Sequence, residues 1–328
     1  MENTSSHMIT TRDKTVLEIL LRIEKIASSD YSILLIGETG AGKEVFAEHI
    51  HRTSNRSQYP LVKVALASLP PNLIESELFG YEKGAFTSSV GEKKGQFEMA
   101  DKGTIFLDDI DDFSLDLQAK LLRVIEAKEI KRIGGQRPIP LDIRLITASK
   151  LDLSEMVAQR KFRMDLFYRI NVFPITIPPL RQRVDDVPLL IQQFLKNYEP
   201  ERTIVVTDDA MESFMKYSWP GNVRELKNVI QRIAMFSNGK IDIENLPSEI
   251  KGEKSLNLFI KACGHCFKNR NLSFDEVMQC VEAHLLEDAL KNANGNYSLA
   301  ARNLGMSLST FRDKCKKHSV DKTNNNSI

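Results

Sequence analysis

Ser32-Ile-Leu-Leu-Ile-Gly37-Glu38-Thr39-Gly40-Ala41-Gly42-Lys43-Glu44 is the stretch that decides the fold. The apolar run Ile33 to Ile36 is a short, buried β-type strand that feeds straight into glycine. A glycine-rich turn between a strand and a helix is the setting a phosphate-binding loop needs. Its glycines let backbone N–H groups curl around phosphate oxygens, and the helix N-terminus adds partial positive charge. Lys43 is expected to reach the β- and γ-phosphates of a nucleotide. Gly37, Glu38, Thr39, Gly40, Ala41, Gly42, Lys43 and Glu44 are therefore the expected ATP-phosphate lining. A strict loop of this kind has Ser or Thr after the lysine, to hold magnesium; here Glu44 follows. A plain glycine-rich turn before a helix is the bland alternative.

Further along, Thr104 to Leu107 is a second buried strand, ending in Asp108 and Asp109, and Ile143 to Thr147 is a third. Helical periodicity occupies residues 13–27 (Val16, Ile19, Leu20, Ile23, Ile26) and Leu117 to Ala127. Strands alternating with helices predict an α/β fold, a parallel sheet with helices on both faces. Pro174 to Pro179 closes that layer. From Val187 to Ile233 the pattern is helical, broken at Trp219-Pro220-Gly221, and predicts a small helical lid. Residues 276–318 are helical again and predict a separate all-α domain. The expected organisation is an α/β unit over 1–180, a lid over 181–250, a linker over 251–275, a second helical domain over 276–320 and a disordered tail over 321–328.

Composition excludes several classes. The 328 residues carry a formal net charge of +1, so DNA binding must come from a local patch. Four cysteines make no disulfide framework, and the lone Cys263/Cys266 CxxC is a weak metal or redox signal beside incidental thiols. No apolar run near the start suits a signal or membrane segment, and a reducing bacterial cytoplasm is expected.

Glu77 to Ser89 reads ELFGYEKGAFTSS. It resembles the ELFGHEKGAFTGA signature of bacterial enhancer-binding proteins, AAA+ ATPases that activate sigma-54 RNA polymerase. The resemblance implies that Phe86 and Thr87 form a loop tip that touches the sigma factor. Ser88 and Ser89 depart from the usual Gly and Ala. It also implies that Asp108 holds Mg2+ through water, that Asp109 polarises the attacking water, and that Ser149 lies at a γ-phosphate-sensing position. Members commonly carry Glu at the place of Glu44. Three departures surround the water. Asp109 replaces Glu and is shorter by one C–C bond, about 1.5 Å. Ala65 replaces an Asn that in relatives bonds the Walker B Glu. Lys150 replaces the Asn of Ala-Thr-Asn.

Phe162 to Asn171, FRMDLFYRIN, resembles the family's FREDLYYRLN. Arg163 and Arg169 match candidate arginine fingers, which act on a neighbouring subunit's nucleotide and so imply a homo-oligomer, a hexameric ring. A surface ion pair with Asp165 is the plain alternative for each arginine. Pro179 to Arg183 resembles PLRxR. Trp219 to Leu226, WPGNVREL, matches the lid motif, in which Arg224 would reach the phosphates and Trp219 would pack.

Gly295 to Arg312 resembles a Fis-type helix-turn-helix, with Ala300 and Ala301 for close packing and Gly305 for the turn. The second helix, about Ser309 to His318, would enter the major groove of double-stranded DNA, as a dimer on an upstream enhancer-like site. Seven Lys or Arg against Asp313 and Asp321 lie between Lys291 and Lys322, a local excess of about five positive charges. Ser307, Ser309, Thr310 and Arg312 are the expected base-side contacts, and Lys314, Lys316 and Lys317 the phosphate contacts.

Only 36 residues precede Gly37, too few for a receiver or ligand-sensing domain. Regulation is expected from a partner protein in trans, or the sequence is a piece of a longer chain; Ser5-Ser-His-Met8 resembles a tag scar. The expected function is an ATP-hydrolysing activator of sigma-54 polymerase. The rival is a DNA-binding regulator with a weakened motor, keeping the ATPase fold as a nucleotide-responsive oligomerisation module.

Overall fold

The computed structural model describes residues 9–66, 70–85, 91–237, 239–251, 273–293 and 295–318. Phe86, Thr87, Ser88, Ser89, Cys263 and Cys266, most of the expected linker (252–272) and the expected tail lie outside them. The chain divides into two compact units, Met1–Lys251 and Gly252–Ile328.

The first unit is built on five parallel strands: β1 (Ile33–Ile36), β2 (Leu61–Ala65), β3 (Thr104–Asp108), β4 (Arg144–Ser149) and β5 (Phe173–Thr176). Their order across the sheet is β2-β3-β4-β1-β5. Pleat alternation sorts each strand between two cores. Leu34, Ile105, Leu107 and Leu145 face a cluster with Leu78, Phe97, Leu121 and Leu166. Ile33, Leu35, Phe106, Ile146 and Ala148 face another with Val16, Ile23, Phe46 and Ile50. Burial on both faces is why the inner strands read as unbroken apolar runs.

The two edge strands escaped that signal. Lys63 and Ala65 are exposed on β2, and Pro174 sits within β5. An edge strand has one unpaired side, so it tolerates a residue without an N–H or with a charge. Helix Lys14–Ala27, capped by Asp13, and helix Leu115–Ala127, capped by Ser114, begin where a side-chain oxygen takes an orphan N–H.

A helical lid follows, with helices Asp186–Tyr198, Asp208–Lys216 and Asn222–Phe236 around one core that includes Leu180, Ile191, Phe214, Trp219 and Ile230. Trp219 is 1% exposed, stacks with Phe214, meets Tyr217 edge-on, and its indole N–H donates to the Phe214 carbonyl at 2.8 Å. Its φ of 50° is unusual for a bulky residue, and this packing holds it there. Trp219→Ala should cost about 3–5 kcal/mol of stability, measured by denaturant unfolding followed by circular dichroism; a loss below about 1 kcal/mol would remove Trp219 as the lid's anchor.

The second unit contains helices Phe274–Asn292, Tyr297–Asn303 and Leu308–Lys317. Leu286, Leu290, Ala300, Ala301, Phe311 and Cys315 form its core. Ala300 and Ala301 are buried, as close helix packing requires. Among the described residues no helix is long and apolar enough to cross a membrane.

Candidate functional site

The C-terminal ends of the parallel strands bring the candidate nucleotide residues together, the place where open α/β sheets bind ligands. Ile36 is in register with Ser149, and Ala65 with Asp108. Gly37 N–H donates to the Ser149 carbonyl at 3.1 Å, joining the phosphate loop to the end of β4. Gly40 and Gly42 take φ of 77° and 105°. A Cβ at Gly40 would lie 2.4 Å from the Gly221 carbonyl oxygen, so the lid approaches the loop at a distance only glycine permits. Helix Lys43–Arg52 then begins without a side-chain cap, which leaves backbone donors of its first turn facing the loop. The buried Lys43 donates from Nζ to the carbonyl of Gly37 at 2.9 Å and that of Glu38 at 3.4 Å.

The acidic side of the site follows β3. Burial raises the Asp108 carboxyl above its ordinary range, Lys43 opposes that shift, and Asp109 adds to it. Asp108 Oδ1 accepts the Asp109 N–H at 3.0 Å. Asp109 itself is left-handed, φ 57° and ψ 47°, before a short turn of helix over Ile110–Asp112. Asp adopts this region more readily than Glu, because a short side chain bonds its local backbone. Sequence reasoning saw only the shortened side chain here and missed the backbone reason for it.

Glu44, in the place of a magnesium-holding hydroxyl, accepts from Lys63 Nζ at 2.7 Å, and Glu48 does so at the same distance. Ser149 is fully buried; its hydroxyl lies 3.0 Å from Asp111 Oδ1 and 2.7 Å from the Leu151 carbonyl. Lys150 Nζ lies 2.9 Å from Asp112, 3.5 Å from Asp111 and 3.6 Å from Asp109.

The lid reaches the loop through Asn222, Arg181 and Arg183, to which the sequence reading gave no role, and through Arg224. Asn222, buried and left-handed at φ 54°, donates from Nδ2 to Glu38 Oε2 and to the Thr39 carbonyl, both at 3.1 Å. Its Oδ1 accepts the Leu180 N–H at 2.8 Å. Arg181 forks onto Glu38 at 2.8 and 2.6 Å, and that pair holds the Glu38 carboxyl at about 2. The buried Arg183 donates to the Ala41 carbonyl at 2.6 Å and faces Asp186 at 3.9 Å. Asp186 in turn accepts from Thr11 Oγ1 and the backbone of Arg12 and Asp13. The Asn of the WPGNVREL stretch and the two arginines after Pro179 were the available signal. Arg224 donates its backbone N–H to the Gly40 carbonyl at 3.3 Å, and with Thr39, Gly221 and Asn228 it lines a cavity of about 870 Å³.

Arg163 and Arg169 are exposed on the surface at helix Met164–Ile170. Arg163 forks onto Asp165 at 3.1 and 2.7 Å, while its backbone N–H donates to Gln118 Oε1 at 2.8 Å. Arg169 reaches Glu126 at 3.3 Å.

In the second unit, Gly305 makes the turn at φ 66°. Ser307 caps the following helix by accepting the Thr310 N–H at 3.1 Å, and its hydroxyl lies within 2.9 Å of those of Ser309 and Thr310. Arg312, Lys316 and Lys317 are exposed along that helix. Lys314 pairs with Glu282 on the long first helix, His318 Nε2 lies 2.8 Å from the same carboxylate, and Lys317 Nζ lies 3.9 Å from it. Bonds from Lys314 and His318 hold Glu282 at about 2, below its ordinary 4.5. A carboxylate depressed on folding contributes stability above about pH 4.5 that is lost as pH falls toward 2. An acid titration of the isolated 273–328 segment, if it folds alone, or of the full chain, should show this helical signal falling in that window; Glu282→Gln should remove that part of the pH dependence.

The geometry agrees with three family models. Residues 9–176 match the sigma-54 interaction domain, residues 181–257 the AAA+ ATPase lid domain, and residues 278–318 the bacterial regulatory protein, Fis family. The transcriptional regulatory protein XylR of Pseudomonas putida is 42% identical over 306 residues, 90% of this chain and 54% of its own length. The regulatory protein AtoC of Escherichia coli is 41% identical over 317 residues, 95% of this chain and 68% of its own. The chain thus spans about half of XylR. Crystal structures of NtrX from Brucella abortus superpose with TM-scores of 0.68 (ADP complex) and 0.67 (ATP complex), each at 30% identity, covering 97% and 95% of this chain and 70% and 69% of that one. The matching domains and their order, carried on a five-stranded parallel sheet, a helical lid and a helix-turn-helix, show that the chain belongs to the family of bacterial transcription regulators with a sigma-54 interaction domain.

Proposed function

We propose that this chain is an ATP-driven activator of sigma-54 RNA polymerase. The observation that carries this reading is the convergence of Lys43, Asp108 and the lid residues on one phosphate loop. Lys43 and the loop N–H groups bind the ATP phosphates, with Arg224 from the lid. Asp108 is the residue that would hold Mg2+, and the ion would neutralise charge that develops on the phosphates. Its burial beside Lys43, and its stance at a strand end, suit a carboxylate kept for a cation. Asp109 orients and deprotonates the attacking water.

The exposed Arg163 and Arg169 suit residues that complete a neighbour's site, so the active form is a ring of subunits. Releasing Arg163 from Asp165 costs little, since solvent screens an exposed ion pair. Arg312, with Ser309 and Thr310, reads bases in the major groove as part of a DNA-bound dimer. Lys316 neutralises phosphates, joined by the exposed Lys317, which Glu282 holds only at 3.9 Å, and by Lys314 where it leaves Glu282. Hydrolysis moves the loop carrying Phe86 and Thr87 against the sigma factor. NtrX, crystallised with ATP and with ADP, supports the nucleotide assignment.

The test is promoter opening in vitro: purified chain, ATP, Mg2+, sigma-54 holoenzyme and a promoter carrying an upstream site. ATP-dependent open complexes are expected. Tight ATP binding with no turnover and no opening would favour the second reading, a DNA-binding regulator that uses nucleotide only to oligomerise. The shortened Asp109, already engaged by Lys150, is the observation on that side.

A further inference from the structure

The turn after β3 places three carboxylates within four residues, Asp109, Asp111 and Asp112, around one ammonium group. That ammonium belongs to Lys150, the first residue beyond β4. Because β3 and β4 are neighbours in the sheet, Asp109 and Lys150 leave adjacent strand ends side by side. The contact is built from the main chain outward. Asp111, with a fully buried side chain, has Oδ1 3.0 Å from the Ser149 hydroxyl and accepts the Lys150 N–H at 3.3 Å, which pins the turn to the end of β4. Its other oxygen, Oδ2, is buried with no hydrogen bond and has the Lys150 ammonium at 3.5 Å.

Burial of an acid in this way is costly unless a cation stands by. Lys150 therefore offsets the charge of the turn and, from the same position, holds the Asp109 carboxylate at 3.6 Å. A neutral amide at position 150 could donate a hydrogen bond but could not balance three carboxylates. Asp109 is also left-handed, so its side-chain direction depends on how this turn is held.

We propose that Lys150 is a positioning residue for ATP hydrolysis, holding Asp109 where it can act on the attacking water. The proposal rests on the reading that this chain hydrolyses ATP with Asp109 as the base. It assigns Lys150 no contact with nucleotide. The ammonium acts through Asp109 and the turn, so its removal should change the chemical step and leave ATP binding in place. A misplacement of about 1 Å at a reacting group can cost ~10²-fold.

The experiment compares full-length wild type, Lys150→Met and Lys150→Arg by steady-state ATP turnover and by titration with a fluorescent ATP analogue in Mg2+. Lys150→Met should lower kcat at least tenfold, with KM and analogue affinity within about threefold of wild type. Lys150→Arg, which keeps the charge, should recover most of kcat. If the Met variant does not fold, Lys150→Gln, polar and similar in length, carries the same comparison. Unchanged kcat in the neutral variant would overturn the proposal. So would a tenfold loss of analogue affinity at unchanged kcat, which would make Lys150 a phosphate ligand. A wild-type protein that binds ATP without turnover would instead overturn the hydrolysis reading, and the proposal with it.

Discussion

Lys43→Ala is expected to weaken ATP binding by at least about a hundredfold and to abolish turnover. Lys43 is buried, and its ammonium is held by the Gly37 and Glu38 carbonyls inside the curve of the loop. From that position the ammonium would reach the phosphate oxygens of a bound nucleotide. Each hydrogen bond to a charged partner is worth about 1.5–3 kcal/mol, and 1.4 kcal/mol is tenfold in affinity. Loss of two such bonds gives the expected hundredfold or more. The fold should survive, because the alanine retains the helix start and Gly42 keeps the loop geometry. Titration with a fluorescent ATP analogue measures the first effect, and unfolding followed by Trp219 fluorescence checks the second. Affinity within threefold of wild type, in a protein that melts normally, would exclude Lys43 from the phosphate site.

Arg163→Ala should leave ATP affinity nearly unchanged and lower turnover about 10³-fold or more, the range for an arginine finger. Among the described residues the exposed guanidinium is paired only with Asp165, so its loss should hardly affect the folded monomer. A mixing experiment separates a finger from a residue of its own pocket. Lys43→Ala subunits lack phosphate binding but offer Arg163, and Arg163→Ala subunits do the reverse. Mixed rings should recover part of the turnover that neither variant has alone. Turnover of Arg163→Ala within threefold of wild type would remove the residue from the chemistry; Arg169, paired with Glu126, would then be the next to test.

Much of the fold was legible because its inner elements are locally decided. The three inner strands are apolar on both faces, and the glycine-rich loop follows the first of them, so β1, β3 and β4 could be read directly. The edge strands could not. On β2 and β5 a lysine, an alanine and a proline obey only the needs of a half-paired strand, and pairing partners lie far away in the chain. The helix-turn-helix was legible from Ala300, Ala301 and Gly305, since close packing and a left-handed turn admit few residue types. The destination of Lys314 was not, because a lysine near a helix end has the same local pattern whether it meets DNA or Glu282.

The same division runs through the site. The sequence by itself determined the phosphate loop, the acidic strand end and the lid motif, because each depends on a short run of chain with a fixed chemical demand: glycines for backbone donors, a lysine for phosphate, carboxylates after an apolar strand. Tertiary structure alone decided that Asn222 and Arg181 meet Glu38, that Arg183 joins Asp186 to the Ala41 carbonyl, and that Lys150 gathers Asp109, Asp111 and Asp112. Apart from Arg183 and Asp186, which lie one helical turn apart, these contacts join residues tens to more than a hundred positions apart. Side-chain charge and shape permit many such pairings, and only the sheet order and the docking of the lid select the ones that form.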